Sequence, residues 1–372
     1  MPSNQLKHMP ALDGLRGVAI LLVILTHAAS GWVAADAAFQ DVSRYQPTFT
    51  LPTTLAVIAN GGLNGVQLFF IVSAFTLTVG ASIRDRSLAA YALRRAARIA
   101  PAFWLATALY ALTASQVDPS YFTRVSLIDL VMSAGFLGAW VDKASSAGVP
   151  GGWSIACEAA FYVALPFTLR LIDGRIWRAI VLTCVAGIAA QLRARQMIVD
   201  NTWSFLAYTH AIQQAPVFLC GITAALIAMR FRLPRLPGLA VALLGFAICL
   251  VPFAGRLFGS WWALPYLLFS GVAAAVVMLA ASHPPRLLAN TMMRKIGDVS
   301  YSMYLVHFAL LGSSLRIAEW LVPANDQRTM LCHFVIVTIL SFCVSLLTHR
   351  LIERPAMRWA ARQFRAPIKV VE

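Results

Sequence analysis

His27, Glu158, His307 and His333 lie inside long stretches of the chain that are otherwise almost free of charge. Ionisable groups in such surroundings are costly, and where they occur they commonly mark a functional site. An imidazole beside a carboxylate suits abstraction of a proton from a hydroxyl, and His27 with Glu158 is the pair to weigh first. The same two residue types also serve proton or ion relays in transporters, so chemistry is one of two readings here. Arg16 precedes His27 by eleven positions, which on a helix returns to within about 20° of the same face, roughly 16 Å further along. The two cannot touch, but they can line one shaft. The plainer alternatives are an arginine that only obeys charge topology and a histidine bonded to a neighbouring helix. Arg95 and Arg98 stand one helical turn apart in the cluster Arg94-Arg95-Ala96-Ala97-Arg98. Paired guanidinium groups hold phosphate bidentately, although a purely topogenic cluster has the same spacing.

The elements that must position these groups follow from composition. Of 372 residues, 59% are hydrophobic and 12% charged, with 30 Lys+Arg against 15 Asp+Glu for a net charge of +15. Soluble domains carry about 25% charged residues, so a soluble enzyme, a disordered chain and a disulfide scaffold are all set aside. Apolar runs near 17–35, 61–81, 99–117, 153–171, 176–192, 212–229, 238–255, 261–282, 298–318 and 329–349 are each long enough to approach the roughly 20 residues that cross a bilayer as helix. They lack the alternation of membrane strands. The expectation is an all-α bundle of about ten spans embedded in a lipid bilayer.

Residues 127–141 are apolar enough for an eleventh span. With the N-terminus cytoplasmic and that segment not crossing, 22 of the 30 basic residues fall on the cytoplasmic side, as the positive-inside rule prefers. Were the segment to cross, every later basic cluster would change sides. Both termini are therefore expected in the cytoplasm, and 118–152 is expected to be external or re-entrant. On this topology His27 and Glu158 lie about 12 and 8 Å below the outer edge, by helix rise, which leaves a pair between them open. The N-terminal apolar stretch, followed by Ala35-Asp36-Ala37, imitates a signal peptide. It exceeds the usual apolar core of 7–15 residues, so cleavage is not expected. The six cysteines fall in apolar runs and read as small buried side chains.

No metal site is expected, because the seven histidines show no pair at i,i+3 or i,i+4. Nucleic acid is not an expected partner either, since the basic residues sit in loops between spans. His307 either lines an acceptor cavity or bonds a neighbouring helix, the second being the plainer reading. Trp153, Ser154 and Tyr162 flank Glu158 and are candidates for contact with a sugar, although aromatic residues at a membrane edge also act as anchors.

Several motifs carry a resemblance. Leu12-Asp13-Gly14-Leu15-Arg16-Gly17 running into Leu25-Thr26-His27-Ala28 resembles the opening of the acyltransferase-3 family, bacterial integral-membrane O-acyltransferases. The stretch Gly65-Val66-Gln67-Leu68-Phe69-Phe70-Ile71-Val72-Ser73-Ala74-Phe75 is similar to a second motif of that family, departing at Gln67 for the usual Asp and Ala74 for the usual Gly. Arg95-Ala96-Ala97-Arg98 matches its Arg-x-x-Arg, and Trp153-Ser154-Ile155-Ala156-Cys157-Glu158 with Phe161-Tyr162 and Pro166 resembles a third motif. Ser300-Tyr301-Ser302-Met303-Tyr304-Leu305-Val306-His307 and Glu353-Arg354-Pro355 resemble the late ones.

The resemblance runs in order over residues 12–355, leaving 356–372 as a basic cytoplasmic tail. It implies transfer of an acyl group, usually acetyl, from cytoplasmic acyl-CoA to a hydroxyl of a carbohydrate acceptor such as a surface polysaccharide or glycolipid. Acyl-CoA would be a co-substrate, with no permanently bound cofactor, and the expected location is the bacterial cytoplasmic (inner) membrane. Arg16, Arg95 and Arg98 would hold the donor's phosphates. His27 would act as general base or form a transient acyl-imidazole, and Glu158 would orient or charge-stabilise it. A transporter moving an acyl or glycan group without covalent chemistry remains the alternative, as does the same chemistry with succinyl-CoA or another acyl donor.

Overall fold

The computed structural model describes residues 9–29, 62–84, 87–117, 125–145, 147–200, 208–231, 233, 263–322 and 326–364. Among the described residues it contains helices and turns and no strand. The principal helices are α1 (Pro10–Ala29), α2 (Gly65–Arg84), α3 (Leu88–Val117), α4 (Leu127–Ala134), α5 (Gly152–Ile172), α6 (Ile176–Val199), α7 (Ala211–Arg230), α8 (Ala263–Ser282), α9 (Thr291–Asp298), α10 (Ser300–Leu321), α11 (Asp326–Thr348) and α12 (Arg354–Gln363). Six helical stretches among the described residues are long and apolar enough to cross a membrane. The run read at 238–255, Cys249 and the Ala35–Ala37 stretch lie outside the described residues.

The outer surface of the bundle is apolar in stripes. On α6 the residues Val181, Val185, Ile188 and Leu192 are all exposed and recur at helical spacing along one face, as a helix facing lipid requires. Cys184 and Cys343 share this exposure, so the expectation of uniformly buried cysteines fails for them. In a helix lying against lipid, an apolar residue has no need of the core.

α1 occupies the middle of the bundle, with 12 of its 20 residues buried. It packs chiefly on α2, α9, α10 and α11, whereas α5 packs on α2, α3 and α7. Glycines permit the closest of these approaches. A Cβ on Gly14 would come within 2.0 Å of the Leu288 carbonyl oxygen, and one on Gly297 within 1.8 Å of the Asp13 oxygen. The two backbones therefore meet directly around Asp13. The helix also starts at Pro10, earlier than the apolar run at 17–35, so Arg16 lies within it rather than at its edge.

The doubtful segment resolves as α4. Ser126 caps it: its Oγ accepts from Asp129 N at 3.2 Å, and Asp129 Oδ2 accepts from Ser126 N at 3.0 Å. Eight residues of helix rise only about 12 Å, far short of the roughly 30 Å of hydrocarbon. Trp104 Nε1 donates to Ala134 O at 2.9 Å, and Ala211 N donates to Ala139 O at 3.1 Å. The segment thus lies against α3 and the start of α7.

At the other end, α11 runs through a π-turn, His349–Glu353, into α12, with Arg354 N–H bonded to His349 O. Pro355 supplies a physical cause. It has no N–H for the Leu351 carbonyl and its ring would crowd that oxygen, so the helix widens there. The widened turn places buried Glu353 against α10 and α3. Residues read as the start of a tail form α12, which packs on α3.

Candidate active site

One face from each of several helices converges on a cavity of about 440 Å³. α5 contributes Ser154, Glu158 and Tyr162, spaced four apart so that they stack on one face. α3 contributes Arg95 and Arg98, α1 contributes Asp13 and Arg16, and α2 contributes Ser73 and Thr76. Tyr301 and Tyr304 of α10, with His349, Arg354 and Met357 of the widened turn and α12, complete the wall. The three arginines singled out in the sequence therefore share one chamber with Glu158.

Several of these charged groups have defined partners. The Arg16 guanidinium donates to Asp13 Oδ1 at 2.9 Å and to Thr76 Oγ1 at 3.1 Å. Arg95 lies over the Tyr162 ring, 5.7 Å from its centroid, as a cation–π contact requires. Its buried Nε has no hydrogen-bond partner among the described residues. Arg98 stands 3.9 Å from the carboxylate of Glu353, which is 1% exposed. That carboxylate also accepts from Ser302 Oγ and lies 3.0 Å from His349 Nδ1. Glu158 Oε1 accepts from Tyr162 Oη at 2.6 Å and from Ser73 Oγ at 2.8 Å.

The inner end of the cavity is formed by two hydroxyls. Ser154 Oγ donates to Tyr304 Oη at 2.9 Å, and Tyr304 Oη donates to Gly151 O at 2.9 Å. Gly151 has φ +76°, and a Cβ there would lie 2.4 Å from Tyr304 Oη. Only glycine meets both conditions without strain.

His27 lies outside this chamber. Its Nδ1 is 3.3 Å from His307 Nε2, and its ring centroid is 4.5 Å from that of Phe308. The expected pairing of His27 with Glu158 is therefore corrected: each has other neighbours. Glu158 shares the chamber with Arg16, whereas His27 lies about 16 Å of helix rise further along α1, on a face that meets α10. The His27–His307 pair stands one helical turn beyond Tyr304, whose ring centroid is 5.6 Å from that of His307.

The remaining sequence candidates divide. Ser154 and Tyr162, read with the acceptor, line the same cavity as the arginines. Trp153 is buried between Phe70, at 6.4 Å, and Tyr208, at 5.3 Å between ring centroids. His333 is buried with its nitrogens 3.2 Å from Ala28 O and 3.1 Å from Leu311 O, tying α1 to α10. Asp13, Ser73, Thr76, His349, Glu353 and Arg354 were not singled out. Asp13 could have been found from its i,i+3 spacing to Arg16. Glu353 and Arg354 belong to the last of the family-like motifs, and nothing in the linear order shows that the π-turn brings Glu353 beside Arg98.

Among the described residues, helices with apolar outer stripes enclose a chamber of arginines and hydroxyls, the arrangement of a helical integral-membrane protein. The comparisons with known proteins name the class. Residues 9–350 match a family model described as an acyltransferase domain, and the chain belongs to this acyltransferase-3 family. It is 27% identical to the acyltransferase MdmB of Streptomyces mycarofaciens, over 95% of this chain and 93% of that protein. It is 28% identical to the exopolysaccharide production protein ExoZ of Rhizobium meliloti, over 80% of this chain and 90% of the other. Identity to the peptidoglycan O-acetyltransferase OatA of Listeria monocytogenes is 23%, over 94% of this chain but only 56% of that protein's length. No solved structure matches the chain.

Proposed function

We propose that the protein transfers an acyl group, acetyl in the first instance, from acyl-CoA to a hydroxyl of a carbohydrate acceptor, across the bacterial cytoplasmic membrane. The observation that carries the reading is the chamber shared by Arg16, Arg95 and Arg98, in which the buried Nε–H of Arg95 has no acceptor among the described residues. Charge-assisted bonds to phosphate satisfy such groups better than a neutral ligand does. The names of the relatives MdmB, ExoZ and OatA support acyl transfer and a carbohydrate acceptor.

On this reading the arginine end of the bundle faces the cytoplasm, where acyl-CoA is made. The donor's phosphates take Arg16, Arg95, Arg98 and the neighbouring Arg354, and the pantetheine arm extends along α5 toward Ser154 and Tyr304. The thioester passes that hydroxyl pair to meet His27, which lies about 16 Å of helix rise from Arg16. The acceptor oxygen attacks the acyl carbon, and its C–O bond forms as the C–S bond breaks. The hydroxyl proton moves to His27 and then to the departing thiolate of CoA. Glu158 acts through Tyr162 and Ser73, fixing the wall under Arg95.

The test compares cells with and without the protein. Mass spectrometry of their surface glycans and glycolipids should find an acyl mass present only in the first. Proteoliposomes that move an acyl or glycan group in counterflow, with no CoA thiol released, would instead identify a transporter.

A further inference from the structure

We propose that Trp140, Arg193 and His210 form a docking site for the carbohydrate acceptor, on the part of the bundle remote from the arginine chamber. The inference rests on the reading of the protein as an O-acyltransferase with a carbohydrate acceptor, and it names where that acceptor is held.

The three residues come from separate elements that the fold gathers. After α5 the chain turns back through Asp173 and Gly174, both at positive φ. Helix α6 therefore runs antiparallel to α5 and returns Arg193 to about the level of Trp153, by helix rise. α6 packs on α7, and His210 caps the start of α7. Trp140 follows α4 in a turn that is fixed twice. Its own N–H donates to Leu137 O at 2.9 Å, and the neighbouring Ala139 O accepts from Ala211 N at 3.1 Å. The Trp140 and His210 rings meet edge to face with centroids 5.0 Å apart, and the charge of Arg193 lies close enough to act on the His210 ring.

This combination fits a sugar. Trp140 keeps 45% of its surface exposed, and an indole offers a large rigid apolar area on which the C–H face of a pyranose packs. The hydroxyls around that pyranose then need partners. His210 Nδ1 accepts from Ile212 N at 3.2 Å, so in the neutral ring the hydrogen sits on Nε2, which donates. Arg193 Nη1 has no hydrogen-bond partner among the described residues, and rotation of its side chain between staggered positions can bring that donor to a bound hydroxyl. A lipid chain would cover Trp140 but leave the arginine donor unmet, whereas a carbohydrate satisfies both.

The site also lies on the correct side of the chemistry. His210 is two residues, at most about 7 Å of chain, from Tyr208, whose ring centroid stands 5.3 Å from that of Trp153. Ser154, the next residue, bonds Tyr304 at the inner end of the arginine chamber. The acceptor thus docks across that hydroxyl pair from the donor's phosphates, and the two substrates approach from different ends.

The test uses purified full-length protein in lipid nanodiscs, with acetyl-CoA and the unacylated surface polysaccharide extracted from cells lacking the protein. Trp140→Ala should raise the polysaccharide KM roughly 5- to 30-fold, the loss at a truncated aromatic anchor. The kcat and the acetyl-CoA KM should stay within about threefold, because only acceptor binding is weakened. Trp140→Tyr keeps an aromatic face and should stay within about threefold of wild type, while Trp140→Leu keeps only an apolar anchor and should be as impaired as Ala. Arg193→Met should raise the same KM and spare the donor. Wild-type polysaccharide KM in Trp140→Leu would identify Trp140 as a membrane anchor and overturn the proposal. Fluorine spectra of wild-type protein containing 5-fluorotryptophan give a readout independent of variant folding. The Trp140 resonance, identified by its absence in Trp140→Phe, should shift when the polysaccharide is added, and an unmoved resonance overturns the proposal. Acceptor-dependent CoA release with an unchanged polysaccharide KM in both Trp140→Ala and Arg193→Met overturns this inference alone. Absence of CoA release by wild type from any acyl-CoA overturns the underlying reading with it.

Discussion

Arg95 offers the cleanest perturbation of donor binding, because among the described residues no carboxylate pairs with its guanidinium. It lies 5.7 Å over the Tyr162 ring, and its buried Nε has no acceptor among the described residues. Replacement by Gln removes the cation–π contact, worth about 0.5–1 kcal/mol, so the folded state should be only slightly weakened. What it removes from the bound donor is larger: hydrogen bonds to a charged phosphate contribute about 1.5–3 kcal/mol. At 1.36 kcal/mol per factor of ten, KM for acetyl-CoA should rise roughly 10- to 150-fold. The kcat should change by less than about threefold, since the lost contact is equal in ground and transition states. The assay follows free thiol release by purified protein, with acetyl-CoA and in parallel with S-acetylpantetheine, which has no phosphate. The variant should be impaired on the first donor and indistinguishable from wild type on the second. An equal loss on both donors would refute the reasoning, because the effect would then owe nothing to phosphate.

Three further outcomes follow from particular contacts. Glu158→Gln keeps an oxygen for Tyr162 and Ser73 and should leave the thermal midpoint nearly unchanged, whereas Glu158→Ala strands both hydroxyls and should cost about 1–3 kcal/mol; equal midpoints for the two variants would contradict this. Glu353→Leu removes the buried carboxylate shared by Ser302, His349 and Arg98 and should destabilise by about 3–5 kcal/mol, measured by thermal unfolding in detergent. His210, just before α7, accepts from Ile212 N through Nδ1 and is pushed down to about 4 by burial and the charge of Arg193. Unfolded histidine titrates near 6.5, so between these values the unfolded state binds more protons and stability falls as pH drops. His210→Asn preserves a cap without a titrating ring, and the decline in midpoint between pH 6.5 and 4 should shrink.

Much of the architecture is legible because hydrophobic run length is a one-dimensional property. The bilayer sets the length of a span, so α5 and α7 lie within one residue of the apolar runs at 153–171 and 212–229, while α6 starts with the run at 176–192 and continues to Val199. Charge asymmetry argues against a crossing at 127–141, and α4 holds only eight helical residues of that run. The site is legible where one helix face carries it. Arg95 with Arg98, and Ser154 with Glu158 and Tyr162, needed only helical periodicity. What failed was the pairing of His27 with Glu158. Depth was counted from assumed span edges, and nothing linear shows how far α1 and α5 are shifted along each other, so that Glu158 stands beside Arg16 and not beside His27. The Glu353 cluster was hidden for a related reason. Its position depends on a π-turn that shifts the helix phase after Thr348, and a 3.6-residue period does not foresee that shift.

The central claim joins two places: an arginine chamber that takes acyl-CoA, and His27 beyond it that moves the proton. The most direct measurement is release of CoA thiol from acetyl-CoA by purified protein with a glycan acceptor, wild type against His27→Ala of matched thermal stability. The account predicts acceptor-dependent release by wild type and a loss of at least about 10²-fold in the variant. Release that persists in His27→Ala, or that never occurs in wild type with any acyl-CoA, would contradict it.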